Sequence, residues 1–512
     1  MRFYQILERF TLLISVIILI IIPIYTLSSL FLIISSKKPI ELILNLFLLL
    51  IENIGYFYAF YIFYMISGAF KYRQIPSFYK QKSSNNPHFT VIVPSHGTPF
   101  SVLKKTLIGT MKIDYNKYDI IVSDNGQDPQ VTKQLKEFCD SNKINFFHKE
   151  DSRGFKAGNI NAVLDKASGE FIVILDSDHI PVPSLLSEFA KVMVDEKIGY
   201  VQAKVSYRNT QRLYQAANSI LYSQFYEVFE TAKDPRGVVL FNGTTGCFRK
   251  NVLFEINGFS EETLIEDIDT SIKILSNGYQ GKYLNFIGSY GLVPETAKSQ
   301  ISQLWRWAHG ACTIIRLRTR SILTSSNLDW KKKIELLLNI MAFFTGTCII
   351  FLVCTLALMI VGNFLFLRAE ILGFHLGFLM PTLVSAAYIS TAILAIIWES
   401  REQDFINRVL YLIPFLLFSL GTFLFLVSGV IEGFLLKNTP TSKSSVWNRD
   451  VHVIRNSILA LCLCGLVIGI GIIGLSNQKF TISAIYILGG ALGWILAPIF
   501  LLKEELFPPI ES

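Results

Sequence analysis

The chain has 512 residues, 51% of them hydrophobic and 17% charged, with a formal net charge of +8. A mean hydropathy of +0.43 excludes an ordinary water-soluble globular protein, while the length leaves room for a complete polar domain beside a membrane domain. Seven cysteines, none in a C-x-x-C pattern, argue against a disulfide framework or a zinc site.

Apolar stretches long enough to cross a bilayer as helices fall at 10–34, 42–70, 337–366, 371–398, 409–431, 456–475 and 481–502. The first is too long for a signal peptide and no small-residue cleavage site follows it, so an uncleaved membrane helix is expected. Between the second and third lies one polar block. The predicted organisation is 1–70 as two membrane helices, 71–332 as a polar domain, and 333–512 as a second membrane cluster, with no soluble domain after the last helix. Lys71 and Arg73 precede the block; Arg316, Arg318, Arg320, Lys331, Lys332 and Lys333 follow it. The positive-inside rule places these flanks, and the domain between them, in the cytoplasm. The net charge is then a membrane-surface signal, and no nucleic-acid partner is needed to explain it. The spans read as nearly free of charge, which argues against a transporter or channel.

Inside the block, "FTVIVPS" (89–95), "YDIIVSDNG" (118–126), "INFFHKE" (144–150) and "EFIVILDSD" (170–178) read as strands, with helices over 129–141 and 158–167. This alternation predicts a doubly wound α/β sheet, whose ligands bind beyond the carboxyl ends of the strands. Asp124 ends the second strand; Asp176 and Asp178, followed by His179, end the fourth. Two carboxylates so close repel one another unless a cation lies between them. A divalent metal carrying a phosphate-bearing ligand meets that need, and a solvated loop is the plain alternative. His179 is expected to pack or hydrogen-bond structurally.

Lys156 in "FKAGNINAV" stands with a glycine ahead of a helix start, a geometry suited to anions, although a salt bridge also explains it. "FNGTTGCFRK" (241–250) offers Gly243 and Gly246, which let backbone approach a ligand. "ETLIEDIDTSIKIL" puts Glu266, Asp267 and Asp269 at a helix start, where the helix dipole alone favours acids and suffices for Asp269. "SQLWRWAHGA" (302–311) supplies Gln303, Trp305, Arg306 and Trp307, which on their own also fit an interfacial aromatic belt with a snorkelling arginine.

In this order and spacing, Asp124, "KAGN" (156–159), "DSDH" (176–179), "FNGTTG" (241–246), "IED" (265–267) and "QLWRW" (303–307) resemble the processive family-2 glycosyltransferases: cellulose, glucomannan, hyaluronan and chitin synthases. The resemblance covers about residues 85–315 and extends to the flanking membrane helices; the D-x-D-H and K-A-G-N forms look most like cellulose synthase. It implies an α/β GT-A (Rossmann-like) cytoplasmic domain inserted in an all-α multi-span membrane domain. The sequence departs from the family pattern at four places. Gly97-Thr98 stands where Asn-Glu is usual, Asp124-Asn125 where Asp-Asp is usual, Leu304 in a Gln/Arg slot, and Ile265 in place of Thr.

The resemblance also implies chemistry. Asp267 is the base that takes the acceptor hydroxyl proton; Asp124, Lys156, Asp176 and Arg306 bind the donor; Gly243, Glu266, Gln303 and Trp307 border the acceptor. Asp178 holds Mg²⁺ or Mn²⁺, with Asp176 on metal or ribose. One base and no carboxylate nucleophile imply inversion, so an α-linked nucleotide sugar, in this family a UDP-sugar, yields a β-linked polymer that crosses the bilayer. The alternative is a non-processive enzyme passing one sugar to a lipid phosphate such as dolichyl phosphate; such relatives usually lack Q-x-x-R-W.

The stretch 435–450 carries Lys437, Lys443 and Arg449 against Asp450 and is expected to be cytoplasmic, as is 398–408. Both ends of 409–431 then lie on one side, so that segment is expected to be interfacial or re-entrant, leaving four spans in the C-terminal part. "NTPTSK" (438–443) resembles the gating loop of cellulose- and glucomannan-synthase relatives, which implies that Thr439, Thr441 and Lys443, within 437–450, close over the diphosphate. An ordinary basic loop on lipid headgroups is the alternative.

Overall fold

The computed structural model describes residues 2–73, 86–151, 153–211, 213–368, 370–371, 374–399, 405–435 and 453–476, with scattered helical positions between 484 and 499. Thr439, Thr441 and Lys443 of the expected gating loop lie outside the described residues, as does most of the expected span 481–502.

The polar block is built on an eight-stranded sheet. Its strands are β1 (Phe89–Ser95), β2 (Tyr118–Asp124), β3 (Asn145–His148), β4 (Phe171–Ile174), β5 (Ile180–Pro181), β6 (Ile198–Tyr207), β7 (Gly246–Arg249) and β8 (Gln280–Gly291). The order is β3-β2-β1-β4-β7-β6-β8-β5. β1 pairs in parallel with β2 and β4, Val91 lying opposite Ile120 and Val173. All seven residues of β1 are buried, because both faces of the sheet are covered and the side chains alternate between two cores. Val91 and Val93 join Leu103, Leu107 and Phe189 on one face; Ile92 joins Ile160, Val163 and Phe248 on the other.

The expected doubly wound parallel sheet holds only for β3-β2-β1-β4. β7 runs antiparallel to both β4 and β6, and β8 is parallel to β6, so the sheet is mixed and Rossmann-like over half its width. The helix Pro129–Ser141 has the expected bounds, set by Asp128, whose carboxylate accepts from the Gln130 and Val131 amides, and by Pro129 in the first turn. The helix expected over 158–167 is instead Phe155–Asn161. Asn161 diverts the chain there: its side-chain amide donates to the Phe259 carbonyl at 2.9 Å and accepts from the Phe259 amide at 2.8 Å.

Among the described residues, five helices are long and apolar enough to cross a membrane: Phe3–Ile34, Pro39–Tyr72, Leu379–Glu399, Arg408–Leu435 and Ser457–Leu475. The single helix expected over 337–366 is a bent pair, Trp330–Phe344 and Gly346–Val361, inclined by 55°. A 3₁₀ turn at Ala342–Phe344 makes the break, where the Phe343 ring meets Trp307 at 6.2 Å and the Phe344 ring meets Phe434 at 5.5 Å.

The expectation of nearly charge-free apolar stretches is corrected. Glu52, inside Pro39–Tyr72, pairs with buried Arg368 at 2.7 Å and accepts from the Tyr25 hydroxyl at 2.6 Å. Glu41 and Asn45, on the same helix, bind the Leu365 and Leu367 amides at 2.8 and 3.0 Å. One helix face thus satisfies the polar groups of the extended segment 364–368, as buried charge and backbone require.

The sheet is tied to the long apolar helices through a π-helical turn, Phe225–Glu230. Glu227 on it is buried between Lys204 of β6 and Arg73 at the end of Pro39–Tyr72. Arg236 and Glu335 add a paired contact at 2.7 Å.

Candidate active site

β4 ends at Ile174, and the chain turns at once into Asp176, Ser177, Asp178 and His179. The turn is held from outside: the Asp176 amide donates to Thr244 Oγ1 at 2.9 Å, Thr106 Oγ1 donates to the Ser177 carbonyl at 2.9 Å, and the Ser177 and Thr98 hydroxyls lie 2.7 Å apart. Oxygens of Asp176 and Asp178 and a ring nitrogen of His179 converge within 4.8 Å of one another. The hard carboxylate oxygens suit a divalent cation such as Mg²⁺ or Mn²⁺.

His179, expected to pack or hydrogen-bond structurally, does both, and its ring also falls within this cluster. Its Nδ1 is 2.7 Å from Asp178 Oδ1, and its ring packs on the Gly291 backbone, where an added Cβ would stand 2.3 Å from Nε2. Burial raises the Asp178 carboxyl, but the His179 charge and hydrogen bond outweigh it and hold the group below the ordinary aspartate value.

Lys156, at the start of Phe155–Asn161, pairs with Asp176 and donates to the Gly243 carbonyl. Burial works against its charge; Asp176, Glu266 and Asp267 more than compensate and hold its ammonium above the usual lysine value. Gly243 has φ +88°, a conformation that favours glycine. A Cβ there would stand 3.1 Å from Asp267 Oδ2 and 3.5 Å from Lys156 Nζ. The loop keeps this shape because Gln202, fully buried on β6, accepts from the Asn242 amide at 2.9 Å and donates to the Thr244 carbonyl at 3.0 Å.

Asp267 stands in the first turn of Glu266–Ser276, its Oδ1 accepting from the Ile268 amide at 2.8 Å. Burial, then the charge of Glu266, push its carboxyl up to about 7 against the pull of Lys156. Ile265, in the slot where the family pattern has threonine, is buried against Gly310, so the helix carrying "QLWRW" lies on this turn.

That helix, Ala297–Thr324, starts with a Thr296–Ser299 capping box. Arg306 is close enough to Glu266, Asp267 and Asp176 for all three to favour its charge, against burial, which lowers it. Gln303 accepts from the Tyr222 hydroxyl at 2.5 Å, and Trp307 meets the Tyr222 ring edge-on at 6.2 Å. Glycines of Leu412–Leu435 pack closely on the helix: a Cβ at Gly429 would stand 2.9 Å from the Trp305 carbonyl, and one at Gly433 2.6 Å from that of His309.

A cleft between the β1, β2 and β4 ends is lined by Ser95, His96, Thr98, Asn125, Lys156, Asn159, Asp176 and Ser177. Thr98 and Asn125, both at departures from the family pattern, line it directly. Asp124 is buried at the end of β2, its Oδ2 3.1 Å from His148 Nδ1 and 3.4 Å from Thr132 Oγ1, and Asn125 is fixed by His96 at 2.8 Å. The structure thus gathers Lys156, Asp176, Gly243, Glu266, Asp267 and Arg306 around one point, with Asp178 and His179 beside it. Asp269, assigned to the helix dipole, instead holds Arg318 through two bonds of 2.7 and 2.9 Å. Arg318, counted among the basic residues that follow the polar block, is therefore engaged by that block. Gln202, His96 and Tyr222 carried no signal in the sequence: each acts through partners supplied by distant elements.

Comparison with known proteins places the sequence and the fold. "Cellulose synthase catalytic subunit [UDP-forming]" of Pseudomonas fluorescens (strain SBW25) is 26% identical over 366 residues, covering 69% of this chain and 48% of that protein. The protein of the same name from Xanthomonas axonopodis pv. citri (strain 306) is 30% identical over 241 residues, 45% of this chain and 32% of its own length. The chain thus spans half or less of these relatives. Among solved structures, the mannosyltransferase PcManGT from Pyrobaculum calidifontis, in complex with GDP-Man and Mn²⁺, shares the fold with a TM-score of 0.50 at 16% identity, covering 77% of this chain and 100% of its own. Residues 171–497 match the family described as "Glycosyl transferase family group 2", and it is to this family that the chain belongs.

Proposed function

We propose that the chain is an inverting, processive glycosyltransferase that polymerises a UDP-hexose into a β-linked polysaccharide and passes it across the membrane, with the catalytic domain cytoplasmic. The observation that carries the reading is the meeting, at Gly243, of the Asp267 carboxylate and the Lys156 ammonium, the latter paired to Asp176 of the metal-competent cluster. A base, a phosphate-binding cation and a metal site within one small volume are the parts that transfer from a nucleotide sugar needs.

In the reaction, the acceptor hydroxyl oxygen bonds to the anomeric carbon. The anomeric carbon–phosphate oxygen bond breaks, and the electron pair leaves with the nucleoside diphosphate. Asp267 receives the hydroxyl proton at Oδ2, a role its raised carboxyl suits near neutral pH. Lys156 and Arg306 offset the charge that develops on the diphosphate. Asp178, with Asp176 and His179, would hold the divalent ion, which supplies further charge neutralisation there. The cleft at His96 and Asn125 takes the nucleoside, while Trp307, with Tyr222 and Gln303 behind it, offers an aromatic face to the acceptor sugar. Leu412–Leu435 packs on the "QLWRW" helix, and it is read here as an interfacial or re-entrant segment on the catalytic side. The UDP preference rests on the UDP-forming cellulose synthase relatives.

The test is purified protein in lipid vesicles supplied with radiolabelled UDP- and GDP-sugars and Mg²⁺ or Mn²⁺. Label from one UDP-hexose in an insoluble product digestible by a β-glycosidase is expected. Label found solely in an organic extract as a single sugar on lipid phosphate would replace this reading with the lipid-linked one.

A further inference from the structure

We propose that the helix Trp330–Met341 and the end of Ala297–Thr324 form a contact surface for anionic phospholipid. Trp330, Ile334 and Met341 are 67%, 48% and 37% exposed and recur at i, i+4 and i+11, so they share one helix face. The opposite face is fixed to the protein: Leu336 and Ile340 are buried in a core with Ile265, and Glu335 is bound by Arg236. The apolar stripe therefore has only the outside to face. It continues onto the preceding helix, where Leu317 and Leu323 are exposed and the Lys333 ammonium donates to the Leu323 carbonyl at 2.8 Å, joining the two helix ends.

The helix bends 55° from Gly346–Val361, as a helix does that lies in the bilayer surface before its successor enters. Its rim is basic. Arg320 and Lys331 are exposed and Lys332 is partly so. Two acids stand in this stretch: Asp329, which caps the Lys332 amide at 2.9 Å, and Glu335, which is held by Arg236 on the buried face; Arg318 is already engaged by Asp269 and Glu262. An apolar stripe flanked by a surplus of exposed cations fits a bilayer whose headgroups are negative; each such cation near that surface is worth roughly fivefold in affinity.

The test reads Trp330 fluorescence from the full chain in phosphatidylcholine vesicles containing either brominated phosphatidylglycerol or the same fraction of brominated phosphatidylcholine. The Trp330→Phe protein supplies the background of the other tryptophans. The expected result is severalfold stronger quenching of Trp330 by the brominated anionic lipid. In the triple variant Arg320→Gln, Lys331→Gln, Lys332→Gln that excess is lost while quenching by brominated phosphatidylcholine remains, which shows that the helix still sits in the bilayer. Equal quenching by the two lipids in the unaltered chain would overturn the headgroup preference, and no quenching by either would overturn the lipid contact itself. Neither readout depends on glycosyl transfer, so the result stands apart from the proposed activity.

Discussion

Asp267 meets two opposed influences: burial and Glu266 push its carboxyl up, and Lys156 pulls it down, leaving it at about 7. A protonated carboxyl cannot accept the acceptor's proton. The value lies above that of an ordinary aspartate, so the acid limb of kcat/KM belongs at neutral pH: the rate should fall tenfold per unit below about 7 and level off above it. Asp267→Asn is nearly isosteric but cannot take the proton, and should lower transfer by about 10²–10⁴-fold with nucleotide affinity unchanged, as measured by label incorporation and calorimetric titration. Asp178→Ala should abolish the metal-dependent part of nucleoside diphosphate binding; binding still equally metal-dependent would place the ion elsewhere. Much of this cluster was legible, because motif residues sit at strand ends and helix starts that local patterning also marks. The packing partner of His179 was not, since the Gly291 backbone is contributed by a strand far along the chain. Nor was the partner of Asp269, which is 49 residues away.

At the scale of elements, β1, β2 and Pro129–Ser141 were readable because β-branched runs end at turn residues and Asp128-Pro129 caps the helix. β7 and β8 were not. "GCFR" is too short to show a period, and β8 carries polar residues and an irregular register against β6, which erases alternation. The π-helical turn likewise has no pattern of its own; Glu227 is fixed there by Lys204 and Arg73. The helix Glu266–Ser276 is tied to Ala297–Thr324 by Asp269 and Arg318. Arg318→Leu leaves the fully buried Asp269 carboxylate without its main partner and should destabilise the domain by about 3–5 kcal/mol, seen as a lower midpoint in thermal unfolding. An unchanged midpoint would show that Ser260 and solvent suffice for Asp269.

For the whole molecule, hydropathy located the apolar helices but could not reveal the 55° break after Trp330–Phe344 or the pairing of Glu52 with Arg368, 316 residues apart. The topology proposed here keeps both ends of Leu412–Leu435 on the catalytic side. A cysteine at Ser444 in intact cells should then resist a membrane-impermeant maleimide until the cells are opened; efficient labelling from outside would make this helix a span and remove the gating loop. The central claim is that one chain adds sugars in succession without letting go, and a pulse–chase measures it. Reconstituted protein receives a short pulse of labelled donor followed by a large excess of unlabelled donor, and product length is followed with time. A processive synthase carries the pulse-labelled products to ever greater length during the chase, whereas pulse label fixed at a single sugar, or released at constant short length, would contradict the account.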